Sequence, residues 1–209
     1  MRKFLFFGLS LMLFGACEND SIYKVEAVER ELLNDENCLI HQRYPQIRGI
    51  QDSMTSIGLN ETLRKSPQLE QYLAQCLEPD SGQRKLVLSD YRLHYVSDSL
   101  ISLELYRKVK ASANQEWQEM YFPISLHLPE AFFPPLDLVL GADIYPKVLA
   151  HLEKWKAEEE GRNFNERAFV TGNNYMLPFC LSADSLILYP GAEGEFVGHQ
   201  RLAIALNSL

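Results

Sequence analysis

The sequence predicts an α+β fold in which an antiparallel sheet packs with a few helices, as a single globular domain or one divided into two sub-domains. Apolar residues recur at helical spacing in 50–77 and again from residue 143. Between them, residues 86–128 alternate apolar and polar side chains with the period of two that is typical of strands. The strands come in runs, without strict strand–helix–strand alternation, which favours antiparallel pairing.

The N-terminus has the order of an exported leader. Two basic residues precede an uncharged apolar run over 4–14, and the small pair Gly15-Ala16 precedes Cys17. This order predicts a signal peptide over 1–16, and the run is too short to span a bilayer. The placing of Cys17 resembles the lipobox of bacterial lipoproteins, which implies a lipid such as palmitate on Cys17 and an anchor in the cell envelope, at the outer membrane. The alternative is an ordinary signal peptide with a coincidental cysteine.

Residues 17–37 are interpreted as a tether and lead-in, and residues 38–209 as the domain. Its N-terminal part, 38–85, begins with a strand that proline, which lacks an N–H donor, should end. The elements predicted up to residue 85 are 25–33 as a short helix or the lead-in of the first strand, Cys38–Tyr44 as a strand ended by Pro45, 50–63 as a helix capped by Asp52 or Ser53, and a helix with Pro67 at its first position.

The C-terminal part, 86–209, opens with a predicted hairpin. Ile101, Leu103 and Leu105 alternate with Ser102 and Glu104, which predicts one buried and one solvated sheet face. The elements predicted in this part are strands over 86–96, 100–109 and 118–128, a packed loop with one helical turn over 129–140, a helix from Asp143 with a stripe of Ile144, Val148, Leu149, Leu152 and Trp155, a hairpin over 175–189, and a last strand over 201–206.

Composition and motifs exclude several chemistries. A formal net charge of −8 argues against a nucleic-acid partner, which requires clustered Lys and Arg. The five histidines are too far apart in sequence for paired metal ligands, and no GxSxG motif occurs, so we expect no metal, no cofactor and no catalytic residue. A carboxylate pair for glycoside cleavage, with Glu104 or Glu119 on a strand face, stays open as an alternative.

Three cysteines remain after Cys17, namely Cys38, Cys76 and Cys180. An exported protein sits where disulfides persist, so one bridge can form and one thiol is left over. The spacing does not choose the pair.

Exposed aromatic residues are the candidate partner-binding groups. Tyr91 and Tyr95 are expected on one face of their strand. Trp117 and Tyr121 are expected on the face of theirs opposite to the apolar residues Met120 and Phe122. Such rings can stack on sugars or fill a partner's pocket, or belong to the core if other elements cover that face.

Glu193 and Glu195 are further candidate partner-binding residues. They lie in the glycine-spaced segment 190–198, which lacks the lysine of a phosphate loop and precedes a strand. We interpret the segment as a long hairpin connection.

Several short motifs resemble a known envelope module. They are Tyr44-Pro45 with Ile47 and Gly49, then Ile57, Leu59 and Asn60, the segment Val96–Leu105, and Phe179–Gly191 before a closing strand. Together they resemble the paired domains of unknown function in PdaC-type peptidoglycan deacetylases and in the lysozyme-sensing anti-sigma factor RsiV. The chain departs from that pattern where Gly191–Gly194 reads GAEG, and the deacetylase domain with its metal motifs is absent.

The leader and the resemblance together imply a lipid-anchored, non-enzymatic envelope protein. Its domain would bind a protein partner such as a lysozyme, or peptidoglycan. One alternative is a carboxylate-dependent enzyme on cell-wall glycan, and another is a structural subunit of an outer-membrane assembly.

Overall fold

Two stacked β-sheets form the centre of the molecule, and helices cover the far side of each. The computed structural model describes residues 21–77, 84–111, 115–128, 130–158, 178–189 and 201–209. The leader, Cys17, Glu193 and Glu195 lie outside the described residues. Helices and mostly antiparallel sheets in one domain confirm the predicted α+β class. Within the described residues, no helix is long and apolar enough to cross a bilayer.

The larger sheet has five long strands in sequence order. They are β1 (Lys24–Asn34), β2 (Cys38–Arg48), β3 (Lys85–Val96), β4 (Leu100–Lys110) and β5 (Gln118–His127). Neighbouring strands are antiparallel except β2 and β3, which run parallel because helices α1 (Ser53–Lys65) and α2 (Glu70–Leu77) connect them. Of the two alternatives for residues 25–33, the structure has the strand, so the folded part begins before Cys38.

The smaller sheet contains three short antiparallel strands, β6 (Phe179–Leu181), β7 (Ser185–Leu188) and β8 (Leu202–Ala205). Helices α3 (Leu136–Leu140) and α4 (Ile144–Glu158) pack on it, and a 3-10 turn (Leu206–Ser208) follows. The stripe predicted for α4 is confirmed, because Ile144, Val148, Leu152 and Trp155 are buried and Leu149 is partly buried.

The inner face of the larger sheet, defined as the face under α1, is an apolar core. Leu59 and Leu63 of α1 pack there on alternate residues of β4 and β5, which are Ile101, Leu103, Leu105, Phe122, Ile124 and Leu126. Asp52 caps α1 as predicted, since its carboxylate accepts the Thr55 N–H at 2.6 Å. The helical spacing of Ile50, Met54, Ile57 and Leu63 predicts one buried stripe on this helix, and that prediction is wrong at Met54 and Ile57, which are 74% and 60% exposed.

Asn60 explains the orientation of α1 and the course of β2. Its side chain accepts the Ile47 N–H at 2.8 Å and donates to the Ile47 carbonyl at 3.1 Å. The prediction that Pro45 ends the strand is wrong, because β2 continues to Arg48. Pairing with β3 stops at Gln42, and the Pro45 nitrogen points away from β1 as the Ile47 nitrogen does, so no ladder hydrogen bond is lost.

The second helix begins later than predicted. Gln68 has φ of 53°, a left-handed conformation that a helix cannot contain, so α2 starts at Glu70 and not at Pro67. A disulfide between Cys38 and Cys76 joins α2 to β2, which settles the pairing that the sequence left open. Cys180 is the free thiol among the described cysteines, and it is buried.

The outer face of the larger sheet, opposite α1, is not solvated along its whole length. The smaller sheet covers one end of it, so Ser102, Glu104 and Ser125 are buried. The predicted solvated face is therefore wrong at Ser102 and Glu104. The described part of the molecule is layered as helix, sheet, sheet and helix.

Candidate functional site

Serine side chains hold the smaller sheet on the outer face. Ser125 Oγ donates to the Phe179 carbonyl at 3.0 Å, and Ser102 Oγ accepts the Leu181 N–H at 2.7 Å. The two hydroxyls are 2.9 Å apart and hydrogen-bonded. Beside them, the Cys180 thiol donates to the Leu103 carbonyl at 3.1 Å. Since each polar group has a partner, this junction can be buried at little cost.

Glu104 is the charged centre of the same junction. Its carboxylate accepts from Arg92 Nη1 at 3.1 Å, from Arg201 Nε at 2.9 Å and from the Tyr189 hydroxyl at 2.5 Å. Glu104 is fully buried, whereas the side chains of Arg92 and Arg201 remain partly in water. Two cations and a hydroxyl therefore bind this buried carboxylate and link β3, β4 and the smaller sheet.

Burial shifts the pKa of several neighbouring groups. It raises the pKa of Tyr189, which the hydrogen bond to Glu104 raises further, and it raises the pKa of the Cys180 thiol to about 11. It lowers the pKa of His94, whose Nε2 is buried without a hydrogen-bond partner among the described residues. These groups are therefore uncharged at neutral pH.

A bulge at His94 places Tyr91 and Tyr95 on opposite faces of the sheet. Tyr91 is paired with Leu105 on the inner face, and Tyr95 with Ser102 on the outer face. The prediction that Tyr91 and Tyr95 share a face is wrong, because one extra residue in β3 reverses the alternation. Tyr91 packs partly against the inner core, with the Arg43 guanidinium 5.1 Å from its ring, while Tyr95 is 38% exposed.

Trp117 lies on the outer face beyond the smaller sheet, and Tyr121 lies at the margin of that sheet, with its ring 6.0 Å from the Tyr189 ring. Tyr121 is paired with Tyr106 of β4 and lies on the sheet face opposite to Met120 and Phe122, as predicted. Trp117 precedes β5 and is 39% exposed. We define the outer patch by the aromatic and cationic residues at this end: Arg92, Tyr106, Lys108, Lys110, Trp117, Tyr121 and Arg201.

Cations alternate with rings throughout the outer patch. Arg92 lies 5.0 Å and Lys108 5.7 Å from the centre of the Tyr106 ring. Arg201 lies 5.8 Å from the Tyr121 ring, and Lys110 5.9 Å from the Trp117 ring. These contacts hold the rings in place and leave them partly accessible.

Three carboxylates accompany the four cations. Glu104 is buried, Asp90 accepts from the Tyr106 hydroxyl at 3.1 Å, and Glu119 accepts from Lys108 at 2.6 Å and from Tyr121 at 2.7 Å. Hydrogen bonds from Lys108 and Tyr121 lower the pKa of Glu119, and burial raises the pKa of Tyr121 to about 12. The patch has a surplus of positive charge in a chain whose formal charge is −8.

Sequence reasoning missed the cations and one ring of this site. Tyr106 and Lys108 continue the alternation of Ser102 and Glu104 in β4, so the same period of two could have identified them. Arg201 has no local signal, because only the stacking of two sheets brings it to Glu104. Among the described residues, no group of three His, Cys, Asp or Glu side chains could hold a metal ion.

Comparison with known proteins identifies the fold. No family model and no curated protein matches the chain. A crystal structure of a DUF3298 family member from Bacteroides fragilis is similar over 90% of this chain and 91% of that chain, with 10% sequence identity and a TM-score of 0.51. A DUF3298 family protein from Pseudomonas aeruginosa aligns over 88% and 89% of the two chains, with 12% identity and a TM-score of 0.43. The likeness to the Bacteroides fragilis structure shows that the fold is similar to that of a domain of unknown function.

Proposed function

We propose that this chain is a lipid-anchored protein of the bacterial cell envelope, and that its outer patch binds cell-wall glycan without turning it over. The observation that carries the proposal is the end of the outer face beyond the smaller sheet, where the partly accessible rings of Tyr106, Trp117 and Tyr121 alternate with four cations. An aromatic surface with a positive surplus is unusual in so acidic a chain.

The chemistry of peptidoglycan fits this arrangement. The apolar C–H faces of its sugars pack on Tyr and Trp rings, whose polar edges remain in water. The carboxylates of its stem peptides pair with Lys and Arg through charge-assisted hydrogen bonds. Lys110 lies beside the Trp117 ring and has no carboxylate partner among the described residues, so both interactions are available to one ligand there.

The two carboxylates considered for catalysis support binding over turnover. A glycosidase acid needs a raised pKa, whereas the pKa of Glu119 is lowered by Lys108 and Tyr121. Glu104 is buried and held by Arg92 and Arg201, which leaves no room for a substrate oxygen.

Cosedimentation with purified peptidoglycan sacculi tests the proposal. We expect the protein to pellet with sacculi, and Trp117→Ala to weaken binding about tenfold or more, as loss of a central aromatic contact does. Phe133→Ala is the matched control, since Phe133 is 42% exposed, similar to Trp117, but lies next to α3. Equal binding by Trp117→Ala and Phe133→Ala, or no binding by wild type, would contradict the proposal.

The anchor is tested separately by mass spectrometry of the mature N-terminus. We expect Cys17 to begin the mature protein and to carry acyl chains, and Cys17→Ala to be released from membranes. One acyl chain binds membranes only marginally, so several are required for a stable anchor. An unmodified mature wild-type N-terminus would refute the anchor without affecting the glycan-binding test.

The net charge of −8 favours a second candidate, a basic protein such as a lysozyme. Electrostatic steering would then dominate the association rate, which should fall steeply with ionic strength. Because the outer patch is cationic, this partner would use another surface, and Trp117→Ala would not affect it. No lysozyme binding even at low ionic strength would exclude this candidate.

A further inference from the structure

Arg107 is a buried arginine that has no counter-anion among the described residues. It lies on the inner side of β4 and is 2% exposed. None of the ion pairs found among the described residues includes it, and burial lowers the pKa of its guanidinium. A buried charge without an opposite charge is costly, so its presence calls for a reason beyond packing.

One edge of this guanidinium is satisfied and the other is not. Nη1 donates to the Pro67 carbonyl at 2.6 Å, which fixes the loop between α1 and α2. Among the described residues, Nη2 donates to the thioether of Met120, a weak acceptor, at 2.6 Å, and the guanidinium also lies 5.5 Å from the centre of the Phe122 ring. Nε–H is buried and has no hydrogen-bond partner among the described residues. The hydrogen bond to Pro67 requires Nη1 alone, so it does not explain the Nε and Nη2 edge of the guanidinium.

A cavity of about 420 Å³ adjoins this side chain. It is lined by Tyr72, Arg107, Val109, Gln118, Glu119 and Met120. Its volume is within the range of roughly 300–1,000 Å³ of small-molecule sites. The Glu119 carboxylate is bound by Lys108 and Tyr121 and therefore does not neutralise Arg107.

The lining indicates the class of ligand. The Nε and Nη2 edge of a guanidinium matches the two oxygens of a carboxylate. Tyr72, Val109 and Met120 offer apolar contact, and the Tyr72 ring already packs 4.8 Å from the Arg107 guanidinium. We propose that this cavity binds a small organic carboxylate, with its charged group on Arg107 and its apolar body against these three side chains.

The proposal does not rest on glycan binding, because Arg107 and Met120 face away from the outer patch, although Glu119 lies at the border of the two sites. Benzoate is a suitable probe, since it joins a carboxylate to an apolar ring. Benzamide has the same shape without the charge, and inorganic phosphate has charge without the apolar ring.

Titration of the isotope-labelled full chain, followed by NMR at the Arg107 Nε–Hε resonance, tests the proposal. We expect benzoate to shift this resonance saturably and benzamide to leave it unchanged at matched ionic strength. Arg107→Met should weaken benzoate binding about tenfold or more, the usual effect of losing a charged hydrogen bond. Arg48→Met is the control, because it removes an exposed arginine of β2, and this variant should bind benzoate as the wild type does.

Three results would overturn the proposal. They are an unmoved wild-type Arg107 resonance at saturating benzoate, an equal response to benzamide, and binding of phosphate but not benzoate. If Arg107→Met fails to fold, the wild-type titration decides the question alone, because it reports on the side chain itself.

Discussion

The two faces of the larger sheet are both buried at their centre, but by different chemistry. On the inner face, Leu103 and its neighbours form an apolar core under α1. On the outer face, Ser102, Glu104 and Ser125 are as buried, yet they are held by hydrogen bonds and ion pairs to the smaller sheet. One strand, β4, supplies both faces with alternate residues.

The two faces also differ in where their cover ends. Apolar packing is non-directional and covers the inner face along β4 from Ile101 to Leu105, up to the buried Arg107. Directional contacts at the outer face require partners at fixed positions, and they stop where the smaller sheet stops. Beyond Glu104, the same polar alternation continues into Tyr106 and Lys108, which are half-buried and partly accessible.

The largest effect is expected from Leu103→Ala, which opens a cavity in the inner core. Leu103 is fully buried, so we expect a loss of about 2–5 kcal/mol in the free energy of unfolding, measured by urea denaturation. A loss below about 1 kcal/mol in the free energy of unfolding would show that the inner face is not tightly packed around Leu103.

The disulfide between α2 and β2 should contribute almost as much to the free energy of unfolding as Leu103 does. Cys38 and Cys76 are 38 residues apart in sequence, and removing such a bridge costs about 2–4 kcal/mol. Cys76→Ala combined with Cys38→Ala should lower the free energy of unfolding by that amount in chemical denaturation.

Cys180, with its raised pKa of about 11, should react with a thiol reagent only after unfolding. A reactive Cys180 in the native protein would contradict its buried position.

Glu104→Gln tests the outer junction with almost unchanged side-chain volume. We expect urea denaturation to show a loss of about 1–3 kcal/mol in the free energy of unfolding, the usual range for charged hydrogen bonds. This is smaller than for Leu103→Ala because Arg92 and Arg201 are partly exposed and can return to water. A loss equal to that of Leu103→Ala would make the outer junction as important as the inner core.

The smallest effect is a pH dependence from His94. Burial lowers its pKa below the ordinary 6.5, so below that pH the unfolded chain binds the proton more readily than the native one. Stability should therefore be constant just above pH 6.5 and fall as the pH decreases towards the lowered native pKa. His94→Gln should flatten this part of the profile, above the range where carboxylates titrate. An unchanged slope would assign the dependence to other groups.

The parts of the fold that follow from local periodicity could be predicted from the sequence. The α4 stripe and the β3–β4 hairpin are confirmed. The prediction failed where one sheet covers another: Ser102 and Glu104 have the pattern of a solvated face, and nothing near them in sequence indicates β6. The bulge at His94 likewise leaves no local signal, so the facing of Tyr95 was not predictable.

The candidate site was only partly predictable for the same reason. Trp117 and Tyr121 follow from alternation in β5, and Tyr106 and Lys108 from alternation in β4. Arg92 and Arg201 join them only through Glu104, which is a tertiary contact between distant segments.

The most direct test of glycan binding by the outer patch compares the two tryptophans of the chain. Trp117 is exposed at the patch, whereas Trp155 is buried on α4 and serves as an internal reference. In an NMR titration with soluble peptidoglycan fragments, we expect the Trp117 indole N–H resonance to shift saturably while that of Trp155 stays in place. Saturable binding that leaves the Trp117 resonance unmoved, or no binding at all, would contradict the account.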